Sequence, residues 1–92
     1  MDVIEKIYED KIVIKQKIHF GQQLLFRFDN SYGLSVIEEL EGAGPKYNIA
    51  IVKFGVADND YKIDYSTGIT NSDVKSDNDE VLIHLISLVE KL

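Results

Sequence analysis

The stretch LLFRFDNSYGLSVIEE, from Leu24 to Glu39, decides the fold, because it places two strand patterns on either side of one turn. In its first half large apolar residues alternate with their neighbours, as in a β-strand: Leu24, Phe26 and Phe28 on one side, Leu25 and Arg27 on the other. The sequence DNSYG, residues 29–33, predicts a turn, since Asn30 and Gly33 tolerate positive φ and short polar side chains bond to the local backbone. The segment LSVIEEL returns as the second strand, so we predict a β-hairpin.

The residues before the hairpin predict a short helix followed by a strand. In MDVIEKIYE, residues 1–9, the apolar side chains fall on one helical stripe, although so short a helix is not stable alone. Residues 11–20, KIVIKQKIHF, alternate β-branched residues with lysines, which predicts a strand with one solvated face. A longer helix that continues to Ile18 is the alternative for this segment.

The residues after the hairpin predict a loop, two strands and a turn. The glycines and the single proline of EGAGPK, residues 41–46, are typical of a loop. The segment YNIAIVKFGV, residues 47–56, is apolar on both alternating faces, which indicates a central strand covered on both sides. ADND, residues 57–60, predicts a second turn, and YKIDY, residues 61–65, predicts a further strand.

The last part of the chain predicts an irregular segment and then a helix. The segment STGITNSDVKSDND, residues 66–79, is polar and shows no periodicity. DEVLIHLISLVEKL, residues 79–92, is helical in pattern, and Asp77 or Asn78 is in place to cap it. Its apolar stripe is wider than that of an ordinary surface helix.

These elements predict a single α+β domain, residues 1–92: an antiparallel sheet of about five strands in a meander, a C-terminal helix packed on one face and a short N-terminal helix. The apolar surface of the central strand and the C-terminal helix exceeds what one sheet and one helix bury. Either the N-terminal helix covers the second face of the sheet or a second subunit does, and we expect a homodimer.

Composition and charge exclude several kinds of partner. The absence of cysteine removes disulfides, thiolate nucleophiles and cysteine-based zinc sites, and no apolar run approaches the ~20 residues of a membrane span. No signal peptide is visible, so we expect a cytoplasmic protein without membrane contact. Residues 57–80 contain seven acids against Lys62 and Lys75, and so supply −5 of the net charge of −6. Nucleic acid is therefore not an expected partner, whereas a basic protein surface is.

Catalytic and metal motifs are absent from the sequence, so we expect neither an enzyme nor a cofactor. His19 and His84 lack a positioned partner in the pattern and are expected on the surface. Ser35 follows Gly33 but lacks the second glycine of a nucleophile elbow. The acids that begin at Asp58 have a spacing somewhat like that of a calcium loop, but isoleucines occupy the sixth and twelfth positions, so a turn is favoured.

Two groups of residues are candidates for binding. Arg27 is the single arginine and lies with Tyr32 beside the hairpin turn, where it is either a binding anchor or half of a cross-strand pair that holds the hairpin. The second group is the acidic segment, which either binds a basic protein or keeps a small protein in solution. Its candidate members are Asp58, Asp60, Asp64, Asp73 and Asp77.

The chain resembles a group of small bacteriophage and prophage proteins over residues 24–92. The resemblance rests on RFDNSYGLSV, YNIAIVKF and YSTGITNSDV, which are similar to the hairpin, apolar strand and following segment of those proteins, and on the short C-terminal helix. Three positions depart from the pattern: Ser31 and Gly68 stand where glycine and proline are usual, and Asn48 stands where an acid is usual. The resemblance carries no catalytic residue with it.

The resemblance implies a role in phage biology inside the host bacterial cytoplasm. The first expectation is an inhibitor of a host defence system, of the anti-CRISPR or anti-restriction type, that binds an immune protein such as a nuclease with a basic channel. The alternatives are a sponge that sequesters a nucleotide immune signal through Arg27, Tyr32 and nearby lysines, and a structural or assembly protein of the virion.

Overall fold

The chain forms two helices and six strands in a computed structural model that describes residues 2–40 and 44–92. A single 3-10 turn, Glu9–Lys11, joins the first helix to the first strand. The elements in chain order are α1 (Asp2–Ile7), β1 (Ile12–Ile18), β2 (Gly21–Arg27), β3 (Tyr32–Glu39), β4 (Tyr47–Phe54), β5 (Tyr61–Ile63), β6 (Val74–Ser76) and α2 (Asp79–Glu90). Of the predicted loop 41–46, residues 41–43 lie outside the described part.

The six strands form one antiparallel sheet in meander order from β1 to β5, which confirms the predicted fold class. Strand β6 was not predicted, because it has only three residues and lies in a polar segment. Three residues are too few to show the alternation of a strand. It pairs with the first half of β4, on the same side on which β5 pairs with the second half. Residues 57–80 therefore build the whole edge of the sheet beyond β4.

The main core lies between one face of the sheet and the two helices. Leu24, Phe26, Leu34 and Ile51 of the sheet meet Ile86 of α2 there, and all five are essentially inaccessible. Helix α1 adds Ile4 to the same core, and the ring of Tyr8 meets Phe26 edge to face, with 6.4 Å between their centroids. The suggestion that the N-terminal helix covers the second face of the sheet is therefore wrong. The homodimer stays a prediction.

The second face of the sheet is covered by its own side chains at one end. Leu25, Val52 and Phe54 are buried there, with Val13, Ile14 and Tyr61 packed against them. The apolar side chains on the second face of β4 are thus buried without a covering helix, because large side chains of the other strands pack against them. Towards the other end this face carries hydrogen-bonded polar side chains: Gln16 donates to Gln23 at 2.7 Å, and Gln23 donates to Ser35 at 3.0 Å.

The hairpin turn differs in detail from the expectation. Ser31, rather than Asn30 or Gly33, has the positive φ, at 66°. Asn30 acts through its side chain: Oδ1 accepts from Tyr32 N at 3.0 Å, and Nδ2 donates to the carbonyls of Val89 and Leu92 at 2.9 and 3.0 Å. The turn therefore caps the C-terminus of α2. Gly33 lies within β3, and a Cβ there would stand 1.8 Å from the Phe26 carbonyl oxygen, so the close approach of β2 requires glycine.

The ends of α2 and β5 are set by short polar side chains. Asn78 is the N-cap of α2, since its side chain accepts from Glu80 N at 2.8 Å, as one of the two expected caps would. Strand β5 ends earlier than predicted because Asp64 accepts from Ser66 N at 2.8 Å and turns the chain. No described helix is long and apolar enough to cross a membrane.

Candidate functional site

The acidic segment follows one repeated pattern along the edge of the sheet. The sequences DYKID, residues 60–64, and DVKSD, residues 73–77, each place a lysine at the centre of a three-residue strand and an aspartate two residues to either side. Because β5 and β6 both pair with β4, the two copies lie one after the other along the same edge. This repeated D-x-K-x-D was the available sequence signal for β6.

Asp64 is held in place by the residue two positions after it. Its Oδ1 accepts from the backbone N and from the hydroxyl of Ser66, at 2.8 and 2.6 Å. These hydrogen bonds, with a smaller contribution from the charge of Lys53, lower the pKa of the Asp64 carboxyl below its ordinary value. Asp64 is therefore an ionised group in a fixed orientation at neutral pH.

The two acids that flank β6 are also held by neutral donors. Asp73 accepts from the hydroxyl of Tyr65, whose pKa is raised to about 12 by burial first and by Asp73 second. Asp77 accepts from the backbone N of Lys46 at 2.7 Å, which ties the end of β6 to the start of β4. Each bond fixes a carboxylate without removing its charge.

Asp60 and Asp58 differ in whether a cation neutralises their negative charge. The backbone of Asp60 closes the β4–β5 turn, since Gly55 N donates to its carbonyl at 2.6 Å, while among the described residues its side chain has no hydrogen-bond or salt-bridge partner. Asp58 is paired with Arg27: Nη1 donates to Oδ1 at 3.0 Å. We call Asp60, Asp64, Asp73 and Asp77, none of which is paired with a cation within 4.0 Å in the described part of the chain, the acidic edge.

Arg27 has a structural role that the sequence did not reveal. Besides Asp58, its guanidinium reaches the carbonyl of Gly55 at 3.0 Å and lies 5.0 Å from the centre of the Phe54 ring. It therefore joins β2 to the β4–β5 turn across β3, where Gly33 leaves room beside it. The pair is not a contact within the hairpin, as the structural alternative proposed, but one with a distant turn.

Tyr32 lies on the opposite face from Arg27. Strand register places it directly opposite Lys53, and Lys53 Nζ stands 4.2 Å from the centre of its ring, a cation–π contact. Lys62 follows in the same row, directly opposite Lys53 on β5. The structure thus groups Tyr32 with two lysines and separates it from Arg27.

A polar cluster at the other end of β4 ties the sheet to α2. Tyr47 donates from its hydroxyl to Asp79 in the first turn of α2, and Lys46 Nζ is 3.6 Å from the same carboxylate. Burial and the bond to Asp79 raise the pKa of Tyr47 to about 12, and the same bond lowers that of Asp79. Glu38, which is buried, accepts from Gln22 at 2.7 Å nearby. The cluster has a structural role, because its polar groups form hydrogen bonds and an ion pair with one another.

Two cavities of similar size differ in how their charges are paired. The first, of about 450 Å³, lies between α1 and β1, and its wall includes Glu5 and Lys15, which form an ion pair at 2.7 Å. The second, of about 430 Å³, lies at the β4–β5 edge. Its lining residues are Lys53, Phe54, Gly55, Asp60, Lys62, Ile63 and Asp64. No carboxylate of this second wall is within 4.0 Å of a lysine of the described chain.

The seven predicted binding residues therefore fall into three groups. The four residues of the acidic edge flank the two short strands β5 and β6 that pair with β4, Arg27 and Asp58 are paired with each other, and Tyr32 belongs to the lysine row. The two lysines were missed because a strand pattern alone does not tell which strand lies opposite. In residues 2–40 and 44–92, no three His, Cys, Asp or Glu side chains converge as a metal site requires. Comparison of the chain with protein-family models, with curated proteins and with solved structures gives no match.

Proposed function

We propose that the protein is a phage-encoded binding protein that inhibits a host defence system by covering a basic surface of an immune protein with its acidic edge. The observation that supports this function is that the four carboxylates lie along one edge without a cationic partner in the described chain. Three of them are held by neutral donors. Such carboxylates keep their charge and lose little conformational freedom on binding.

The kind of partner surface follows from the charge of the edge. Nucleic-acid-binding channels present lysines and arginines to phosphates, and a row of fixed carboxylates complements the same cations. The phage origin and the target in host defence rest on the resemblance of residues 24–92 to small phage proteins. The binding role rests on the edge itself, so the two parts of the proposal are tested separately.

The experiment is a phage plating assay in bacteria with an active CRISPR or restriction system, with and without the protein. The test variant carries D60N, D64N, D73N and D77N together. Asparagine keeps the Oδ1 acceptor that Ser66, Tyr65 and Lys46 N use, so the variant is expected to fold as the wild type does while its net charge changes from −6 to −2. We expect the wild type to raise plating efficiency and the variant to lose most of that effect.

A matched control neutralises four exposed acids elsewhere: Glu9, Asp10, Asp29 and Glu90. With glutamine or asparagine at these positions, the control has the same net charge of −2 as the test variant. We expect the control to protect phage as the wild type does. Equal protection by the test variant would refute the role of the acidic edge, and no protection by the wild type against any defence system would refute the inhibitor function.

A further inference from the structure

We propose that the face of the sheet opposite the two helices is the interface of a homodimer, in which a second copy packs the same face of its own sheet against it. Helices α1 and α2 both pack on the other face, where they close the main core. We call the side chains of β1 to β6 that point away from these helices the open face. This interface goes beyond the proposed function, and the two are tested independently.

The first step of the argument is the orientation of β1, the border strand. A β-bulge between Ile12 and Ile14 shifts the register of this strand against β2. As a result Lys15 points to the helix side, where it pairs with Glu5 of α1 at 2.7 Å, while Ile14 and Ile18 point to the open face. In an antiparallel sheet with one solvated face, polar side chains point to water and apolar ones to the core. Residues 14–18 have the reverse arrangement, which indicates that a partner covers the open face.

The second step is that the centre of the open face is uncharged. The strand register places two neighbouring rows of neutral side chains there: Gln16, Gln23, Ile37 and Asn48 in one row, and Ile14, Leu25, Ser35 and Ala50 in the next. The residues of the acidic edge lie at the ends of β5 and β6, outside both rows.

The charged residues that the described strands contribute to the open face lie at its border. Arg27 is paired with Asp58. Glu39 ends β3, Lys75 belongs to the border strand β6, and their formal charges cancel. Because the chain has a net charge of −6, two copies repel each other in most orientations, whereas face to face at this surface they meet no net charge.

The third step is that the open face has the apolar content and the size of a dimer interface. Ile63 is 59% exposed on this face, and Ile18 and Ile37 are half-buried in the single chain. Five strands spaced ~4.8 Å apart and about seven residues long give a flat area of roughly 550 Å² per copy, and side-chain relief adds to it. Two copies therefore reach about 1,200 Å², the lower bound for a specific interface.

The fourth step is that an identical sheet fits this face better than a charged partner does. A nucleic acid or a charged protein surface finds no charges to pair with in the two central rows, whereas a second copy matches them in polarity and extent. Ser35 lies in the middle of β3, the third of five strands, with Ala50 opposite it on β4. These small side chains allow two sheets to approach to the ~10 Å of stacked sheets.

The test is the oligomeric state of the full chain, measured by sedimentation velocity between about 5 and 500 µM, where we expect a monomer–dimer equilibrium with a micromolar dissociation constant. S35K places two lysines close to the two-fold axis of such a dimer, so we expect the dissociation constant to rise roughly tenfold or more. A wild type that stays monomeric over the whole range would overturn the proposal, and so would a dimer that S35K leaves intact.

The matched control is I83K, which has the same net charge of −5 and places its lysine on α2, where Ile83 is 40% exposed. We expect I83K and the acidic-edge variant D60N/D64N/D73N/D77N to dimerise as the wild type does. Equal loss of the dimer in S35K and I83K would overturn the proposal, as would a monomeric acidic-edge variant, which would place the interface at the sheet edge.

Two further measurements keep the test independent of how well S35K folds. I37K introduces the same charge in the neighbouring row and is also expected to be monomeric. In the wild type, backbone amide NMR shifts that depend on protein concentration should map to residues 14–18, 35–37 and 48–50. Concentration-dependent shifts confined to α1 and α2 would overturn the proposal.

Discussion

Arg27 Nη1 donates to Asp58 Oδ1 at 3.0 Å, and through this contact the hairpin holds the turn from which the acidic edge begins. The side chains are 22% and 53% exposed, so solvent screens the pair only in part. Because the guanidinium also holds the Gly55 carbonyl and covers the Phe54 ring, we expect R27A to lower the free energy of unfolding by about 1–2 kcal/mol. Urea denaturation measures this.

The matched variants for this pair are D58N and the double variant R27A/D58N. D58N is expected to lower stability by about 0.5 kcal/mol, and the double variant by little more than R27A alone, since the two changes remove one shared contact. Strictly additive effects would show that Arg27 and Asp58 are not coupled.

Asn30 joins the hairpin turn to the end of α2. A second prediction follows from its side-chain amide, which donates from Nδ2 and accepts at Oδ1. N30A removes the donor to Val89 and Leu92 and the acceptor for Tyr32 N, so we expect a loss of about 1–2 kcal/mol in the free energy of unfolding. N30D keeps the acceptor but turns a carboxylate towards the negative end of the helix. Thermal unfolding should therefore rank N30D below N30A, and the reverse order would contradict the capping of α2 by this turn.

Ser31 and Gly68 both have positive φ, and opposite substitutions at the two positions should change stability in opposite directions. Ser31 has φ of 66° without being glycine, so S31G is expected to raise the free energy of unfolding by about 0.5–1 kcal/mol. Gly68 has φ of 83° and open space around its Cα, so G68A should lower it by about 1 kcal/mol through the backbone alone. Chemical denaturation of both variants checks the signs, and a destabilised S31G would contradict the strain at Ser31.

The Tyr47–Asp79 contact predicts how stability depends on pH. The pKa of Asp79 in the folded chain lies below its ordinary value of 3.8, mainly because Tyr47 donates to it. Its contribution is therefore present above pH 3.8 and is lost as the pH falls through the lower folded value. The pKa of Tyr47 is raised from 10.0 to about 12, so its contribution is complete below pH 10 and is lost as the pH rises towards 12.

Y47F and D79N test both limbs of this profile by thermal unfolding between acid and alkaline pH. Y47F keeps the buried ring and removes the hydroxyl, so we expect a shallower decline at both ends of the pH range. D79N should flatten the acid limb while leaving most of the alkaline one, because burial is the larger cause of the raised Tyr47 pKa. Profiles parallel to that of the wild type in both variants would contradict the assignment.

The sequence predicted the elements whose periodicity is long enough to be read locally. The hairpin 24–39, the apolar strand β4 and the C-terminal helix were all found, because alternation and helical spacing depend on burial against one core. Strand β6 was missed since three residues do not establish a period. The positive φ was assigned to Asn30 and Gly33 by propensity, whereas tertiary contacts fix it at Ser31: Asn30 is used to cap α2, and Gly33 to let β2 approach.

The sequence shows which acidic residues form the candidate site, but it does not show how they are arranged in space. The acidic segment is visible in the chain, and its placement along a single edge requires knowing that β5 and β6 share one neighbour. The contact of Arg27 with a turn 31 residues away and the opposition of Lys53 and Lys62 depend on register between strands that a single sequence does not give. Long-range pairing therefore accounts for what sequence reasoning missed.

The measurement that tests the acidic edge most directly is the affinity of the purified protein for the defence protein that it blocks, determined at several salt concentrations. For the wild type we predict binding that weakens steeply as salt increases, and for the D60N/D64N/D73N/D77N variant binding weaker by about 10–100-fold with little dependence on salt. The control with four neutralised acids elsewhere should follow the wild type. An unchanged affinity in the acidic-edge variant, with the fold confirmed by circular dichroism, would contradict the account.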